Sequence, residues 1–362
     1  MAKTLQQILG TSTLVGVIQS VKGGVPTDIL PPEFMRVGRT IEGNTGTYDK
    51  VEGNRKTARL AHYGSKAKKR SLKGVSEVPI TLMHTFESMD HRPDTLMQLR
   101  DIGNESRQKL GQNEIARQTK DFKDLFLNLR VTSAVSALTA GAIYFDSDGN
   151  LLPSSGGATY TIDFDVPAAN QNQIDGIVTA SWNTAGTDIV KQVKAIKLKA
   201  RQTSGYPLKH AFVGSDILGY FLKNTTLKEL INRNAGFQAS AAAGTIPDGF
   251  LGFMWHDLDE FFFEDNDSTN QTLMGTSDVI FTPEVSPEWW ELVQGTFPVP
   301  TKLGGVGGEA ADMIADITEV AGMFSYAVIG HNPVGIEQFA GDTFLPTLKV
   351  PSAIFQAVVH GF

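Results

Sequence analysis

The sequence predicts an α+β protein of two packed regions with long extensions, and three observations carry that expectation. A stretch of helical period runs from about residue 106 to 140. Segments of alternating polarity recur on both sides of it, at residues 45–51, 78–86 and 160–166 and again towards the C-terminus. At 362 residues the chain also exceeds the roughly 100–200 residues that one core organises.

Residues 1–35 carry little periodicity and several breakers, among them Gly10, Gly16, Pro26 and the Pro31-Pro32 pair. They predict an arm, with a short helix near residues 5–9 and extended chain after it. Residues 36–88 read as strands and turns around an unusual centre. Between Arg55 and Lys73 stand eight cations (Arg55, Lys56, Arg59, Lys66, Lys68, Lys69, Arg70 and Lys73), no acid, and only Ala58, Leu60, Ala61, Tyr63, Ala67 and Leu72 as apolar residues. Such a segment cannot bury itself, so it predicts a hairpin reaching out of its own domain. Pro93-Asp94 opens a helical turn.

In the stretch 106–140, Ile115, Phe122, Leu125, Phe126, Leu129, Val135 and Leu138 share one broad face, and Gly141 ends it. A hairpin at 142–166 turns through Asp146-Ser-Asp-Gly. That turn lacks the sixth-position Gly and twelfth-position Glu of a calcium loop, since Leu151 and Gly157 stand there. From Asp188 a helix turns Ile189, Val193, Ile196 and Ala200 inward; a short strand at 211–214 and two helices capped by Ser215-Asp216 and Thr226 complete an α/β region. Strands follow at 252–256, 260–264 and 278–282, and the best C-terminal strands are 327–330 and 352–359.

The formal net charge of −7 argues against whole-surface binding of nucleic acid. Against the basic segment stands a region with no Lys or Arg from Asn234 to Thr301 and eleven acids from Asp248 to Glu291. Opposed charge of this kind suits head-to-tail contact between copies, although two solvated faces would give the same pattern. The basic segment could instead hold phosphate, but Tyr63 is its one aromatic residue, which favours inter-subunit contact through Arg55, Lys56, Arg59, Lys66, Lys68, Lys69 and Arg70. With no cysteine, disulfides, thiolate catalysis and Cys-bound zinc are excluded. No apolar run approaches the roughly 18–20 residues of a membrane span, and the first residues do not form a convincing signal peptide, so cytoplasmic synthesis is expected.

Gly305-Val-Gly-Gly-Glu-Ala310 fits a dinucleotide fingerprint in letters only, because Phe297-Pro-Val-Pro precedes it instead of a clean strand. The seven histidines are scattered; His84 and His91 straddle an apparent strand–helix boundary, and His256-Asp257 sits among acids. Neither spacing is that of a ligand set. No catalytic, cofactor or metal site is expected, and Trp289-Trp290 reads as a core or interface anchor.

Tyr48-Asp-Lys-Val-Glu-Gly-Asn-Arg55, Ala61-His-Tyr-Gly-Ser65 and Lys68-Lys-Arg70 resemble the extended loop of tailed-bacteriophage major capsid proteins of the lambda E type. Ile143 to Pro153, Ser204-Gly-Tyr-Pro, Ala211 to Asp216 and Thr343-Phe-Leu-Pro346 are similar to further parts of that family, in the family's order. The resemblance implies the Hong Kong 97-type capsid fold. In that scheme residues 1–35 are the N-terminal arm and 36–88 the extended loop. Residues 89–170 form the peripheral domain with its spine helix, 171–325 the axial α/β domain, and 326–362 strands returning to the peripheral domain. It further implies hexamers and pentamers in an icosahedral phage head, built in the host cytoplasm and enclosing double-stranded DNA without sequence-specific binding. Scaffolding, decoration and portal proteins are its expected partners, with no membrane. Two alternatives are an encapsulin-like nanocompartment and a soluble α/β enzyme with a site in the acidic 248–291 region.

Overall fold

The computed structural model describes residues 9–20, 30–51, 75–91, 105–258, 262–264, 270–301, 304–305, 317–331 and 334–362. The expected helix near 5–9 (except Leu9), the turn at Pro93-Asp94 and the Gly307–Ala310 motif lie outside them. The arm is not wholly extended: α1 (Thr11–Ser20) is a helix that buries Leu14 and Ile18. Ile18 packs with Phe122, Phe126, Met323 and Ala340, so tertiary contact outweighs the glycines around it.

Strand β1 (Val37–Ile41) precedes an antiparallel ribbon of β2 (Thr45–Val51) and β3 (Val75–Thr81), and β4 (Met83–His91) follows after a break at Leu82. Helix α2 (Glu105–Thr139) has 35 residues, about 52 Å at 1.5 Å each. Gly141 ends it with φ of 69°, a conformation open to glycine at little cost. The expected apolar face holds for Ile115, Phe122, Phe126, Val135 and Leu138, but Leu125 is exposed. Strands β5 (Ala142–Phe145), β6 (Leu151–Leu152) and β7 (Tyr160–Asp163) form a small antiparallel sheet beyond it.

The second region starts with α3 (Ile189–Thr203), whose cap Asp188 accepts a hydrogen bond from Lys191 N. Ile189, Val193, Ile196 and Ala200 are buried, as their spacing requires. After β8 (Leu208–Val213) come α4 (Asp216–Lys223), α5 (Thr225–Asn232) and α6 (Ala235–Ala242). Asn224, not Thr226, caps α5 by accepting from Leu227 N, and Asn234 caps α6. Next come β9 (Met254–Asp257), the pair β10 (Phe262–Glu264) and β11 (Asn270–Thr272), and β12 (Asp278–Pro283).

The remaining strands are β13 (Trp290–Pro300), β14 (Gly304–Gly305), β15 (Ile317–Ala321), β16 (Phe324–His331), β17 (Val334–Leu348) and β18 (Phe355–Val358). A seven-stranded sheet runs β1–β13–β17–β16–β14, with β4 added to β17 and β15 to β13. A four-stranded sheet runs β18–β12–β8–β9. Strands β13 and β15 thus belong to the larger sheet although they precede residue 326, whereas β18 joins the second region instead of returning with β16 and β17. The physical reason is alternation: Phe355 and Ala357 are buried in the core that α3, α4 and β8 share. Trp289 and Trp290, both buried, sit where the chain passes from one region to the other.

Candidate interaction surfaces

Arg55, Lys56, Arg59, Lys66, Lys68, Lys69 and Arg70 all lie outside the described residues. What the structure shows is the ribbon that leads to them. Strands β2 and β3 pair in register from Thr45↔Thr81 to Val51↔Val75, and only Tyr48 and Ile80 are buried among ribbon residues of known exposure. A lone two-stranded ribbon is marginal in water, so it depends on anchorage to the rest of the subunit. Tyr48, Ile80 and Leu82 enter the main core, and near the ribbon's other end, which leads to the basic segment, Lys50 pairs with Asp165 at 2.7 Å. Burial, with the Asp165 charge second, raises the Tyr48 phenol above its ordinary range.

Several acids of the 248–291 region have partners within the chain. Glu284 pairs with Lys209 at 2.7 Å, and that hydrogen bond holds its carboxyl below the ordinary range. Glu288 accepts from the Tyr206 hydroxyl, whose pKa burial and this bond push up to about 12. Glu291 is buried between Arg39 at 3.0 Å and Lys349 at 2.8 Å, tying β1 and β13 to the chain beyond β17. These are structural uses of the carboxylates. A cleft of about 630 Å³ beside α3 is lined by Ile177, Thr187, Asp188 and Lys191, but the Asp188 carboxylate is the helix cap.

The two faces of the seven-stranded sheet differ. One is covered by α1 and α2, and polar groups are matched across it. Arg130 of α2 meets Asp342 of β17 with two bonds of 2.6 Å, and its guanidinium lies 5.2 Å from the Phe344 ring centre. The buried Gln338 amide donates to Thr119 Oγ1 and Ser325 Oγ, leaving its oxygen as acceptor for His91 Nε2 at 2.9 Å. That bonding assigns the hydrogen of His91 to Nε2.

The other face carries rings. His84 and Phe86 of β4, Phe339 of β17, Phe324 and Tyr326 of β16, and Phe297 of β13 form one continuous array. Neighbouring centroids lie 4.4 Å (Phe297–Phe324) to 6.5 Å (Phe324–Tyr326) apart. The Phe324 ring crosses Gly341, where a Cβ would lie 2.5 Å from Cζ. Phe86 is 44% exposed, and Ser88 and Asp90 beside it on β4 are exposed too. Glu337 borders the array near Tyr326, whose hydroxyl burial and this charge hold above the ordinary pKa.

The histidines are less scattered in space than in sequence. His84 and His91 both lie on β4, so no strand–helix boundary separates them. His210 and His256 are joined, Nδ1 to Nε2, at 3.0 Å. No sequence signal pairs these two; the parallel pairing of β8 with β9 does. No cluster of His, Asp and Glu able to hold a metal occurs among the described residues. The Asp146 carboxylate is taken by Asn150 and the backbone N–H of Asp148, which fixes a turn. Among the described residues no helix is long and apolar enough to cross a membrane.

The family model of phage major capsid protein E matches residues 10–289. No curated protein sequence matches the chain. Among solved structures, the chain is similar to a capsid protein of a prophage of E. coli CFT073. Identity there is 15% over 79% of this chain and 80% of that one, with a TM-score of 0.47. The mature capsid of bacteriophage PhiM1 matches at 12% identity over 94% and 91%, TM-score 0.44. The SrpI encapsulin of Synechococcus elongatus PCC 7942 matches at 8% over 95% of each chain, TM-score 0.42. The family match spans most of the chain, and the chain belongs to the phage major capsid protein E family, as a shell protein of the virion capsid.

Proposed function

We propose that copies of this chain form the hexamers and pentamers of an icosahedral head with the Hong Kong 97-type fold, enclosing double-stranded DNA and performing no catalysis. The observation that carries the reading is the match to the capsid family over residues 10–289. In this reading residues 89–170 and the larger sheet form the peripheral domain, α3 to β12 with β18 the axial domain, and the ribbon β2–β3 the stem of the extended loop. Assembly takes place in the host cytoplasm, and scaffolding, decoration and portal proteins are further partners. The net charge of −7 suits confining DNA without gripping it.

The segment Arg55–Arg70 is the inter-subunit contact, laid on the ring-bearing face of a neighbouring copy. Two features support that occupant. Cations stack on aromatic faces, and Asp90 and Glu337 border this one with opposite charge. Negative-stain microscopy of the purified chain tests the reading: closed shells or capsomers are expected, and a monodisperse small particle under all conditions contradicts it. Deleting residues 55–69 should leave a folded subunit without stable shells, and normal assembly of that variant refutes the assigned contact. Nucleic acid inside native particles separates a virion from a nanocompartment, in which cargo protein replaces it.

A further inference from the structure

Residues 30–36 cross the junction of the two regions as a single 3₁₀ turn, Pro32–Met35, with Phe34 buried. The Phe34 ring meets His210, Phe212, Trp289 and Trp290 edge-on at centroid distances of 6.0, 5.6, 6.1 and 5.7 Å. Trp290 Nε1 donates to the Phe34 carbonyl oxygen at 3.0 Å. The turn therefore belongs to a socket built from β8, β13 and the residues leading into β13.

One wall of that socket is His210, which is paired with His256. A 3.0 Å contact between two imidazole nitrogens holds one hydrogen, so it requires an unprotonated nitrogen on one ring. His210 Nε2 is buried with no hydrogen-bond partner, and so is Oγ1 of Thr282, its neighbour across the β8–β12 ladder. An imidazolium at His210 would direct a charged N–H into this spot, at a cost that the neutral ring avoids. Other charges face the pair from several elements: Lys209 disfavours a cation on His210, Glu284 favours one, and Asp248 and Glu33 favour one on His256. Burial is the largest influence on both rings, depressing His210 and holding His256 down to about 4.

We propose that the His210–His256 pair is a proton-operated latch: neutral, it closes the socket on Phe34; protonated, it releases residues 30–36 and loosens the two regions from each other. The sign follows from linkage. Release of the turn returns whatever part of the depression its docking causes, so the docked turn is fully favoured above about 6.5 and loses ground as pH falls below it.

Hydrogen exchange of the full-length chain, resolved by peptide and corrected for the intrinsic pH dependence, tests the latch. Between pH 7 and 4.5, protection across 30–36 should fall at least tenfold more than protection across β16 and β17. His256→Gln keeps a hydrogen-bonding side chain that does not titrate, and it should remove most of that excess. An equal loss in all strands, or an undiminished fall in His256→Gln, overturns the proposal. Should that variant not fold, the wild-type profile decides together with Phe34→Ala. The latter should show at pH 7 the exchange that the wild type reaches only in acid; unchanged exchange in it counts against the socket.

Discussion

The two faces of the seven-stranded sheet are made from the same strands and solve opposite problems. Under α1 and α2, alternate residues of β17 (Ile336, Gln338, Ala340, Asp342, Phe344) are buried, and each polar group among them has a designated partner. On the other side, Phe86, Phe339 and Tyr326 stay partly exposed. A buried polar group left unpaired costs about 1–3 kcal/mol, so the covered face is specific to its own helix. A ring array asks less of its occupant and can be covered from outside. In the proposed assembly the difference separates what folds the subunit from what would join it to another.

Breaking the covered face should have the largest effect. Asp342→Ala leaves the buried Arg130 cation unpaired and should cost roughly 3–5 kcal/mol, read as a lower urea midpoint. Gln338→Ala strands the buried His91 Nε2 and removes one accepted bond each from Thr119 and Ser325, whose hydroxyls still donate to Ile115 O and Phe339 O, with an expected loss of about 2–3 kcal/mol in the same assay. Gly341→Ala places a methyl against the Phe324 ring and Thr85 O, for about 1–3 kcal/mol. Phe86→Ser on the open face should change subunit stability by less than about 1 kcal/mol yet lower the yield of shells, measured by sedimentation. A stability loss there as large as that of Asp342→Ala would erase the distinction between the faces.

Acid sharpens the same contrast. Burial lowers the pKa of His91 under the helix and, less completely enclosed, that of His84 on the open face. Both bind fewer protons folded than unfolded, so their contribution is complete above about 6.5 and declines as pH drops below it. His91→Gln should flatten the decline in thermal midpoint between pH 7 and 5 more than His84→Gln does.

Helix α2 was legible because its apolar spacing persists over many turns and Gly141 closes it; Leu125 fits the same spacing but is exposed. The run around α3 was equally legible, with Asp188 as its cap. Helix α1 was not, since Gly10 and Gly16 weaken local propensity and its burial against β16 comes from residues some 300 positions away. Strand β17 hid its length because Gly335, Gly341 and Pro346 interrupt the alternation; pairing on both sides carries it through them. The basic segment stood out for what it lacked, a core of its own, while the face proposed to receive it could not be read because His84, Phe297, Phe324 and Phe339 converge only through strand register.

The most direct test of this account is a particle reconstruction at side-chain detail. It should show closed shells in which Phe86 is covered by a neighbouring copy and residues 55–70 of that copy lie against Asp90 and Glu337. Closed shells with the Phe86 face bare to solvent, or a chain that never assembles, would contradict it.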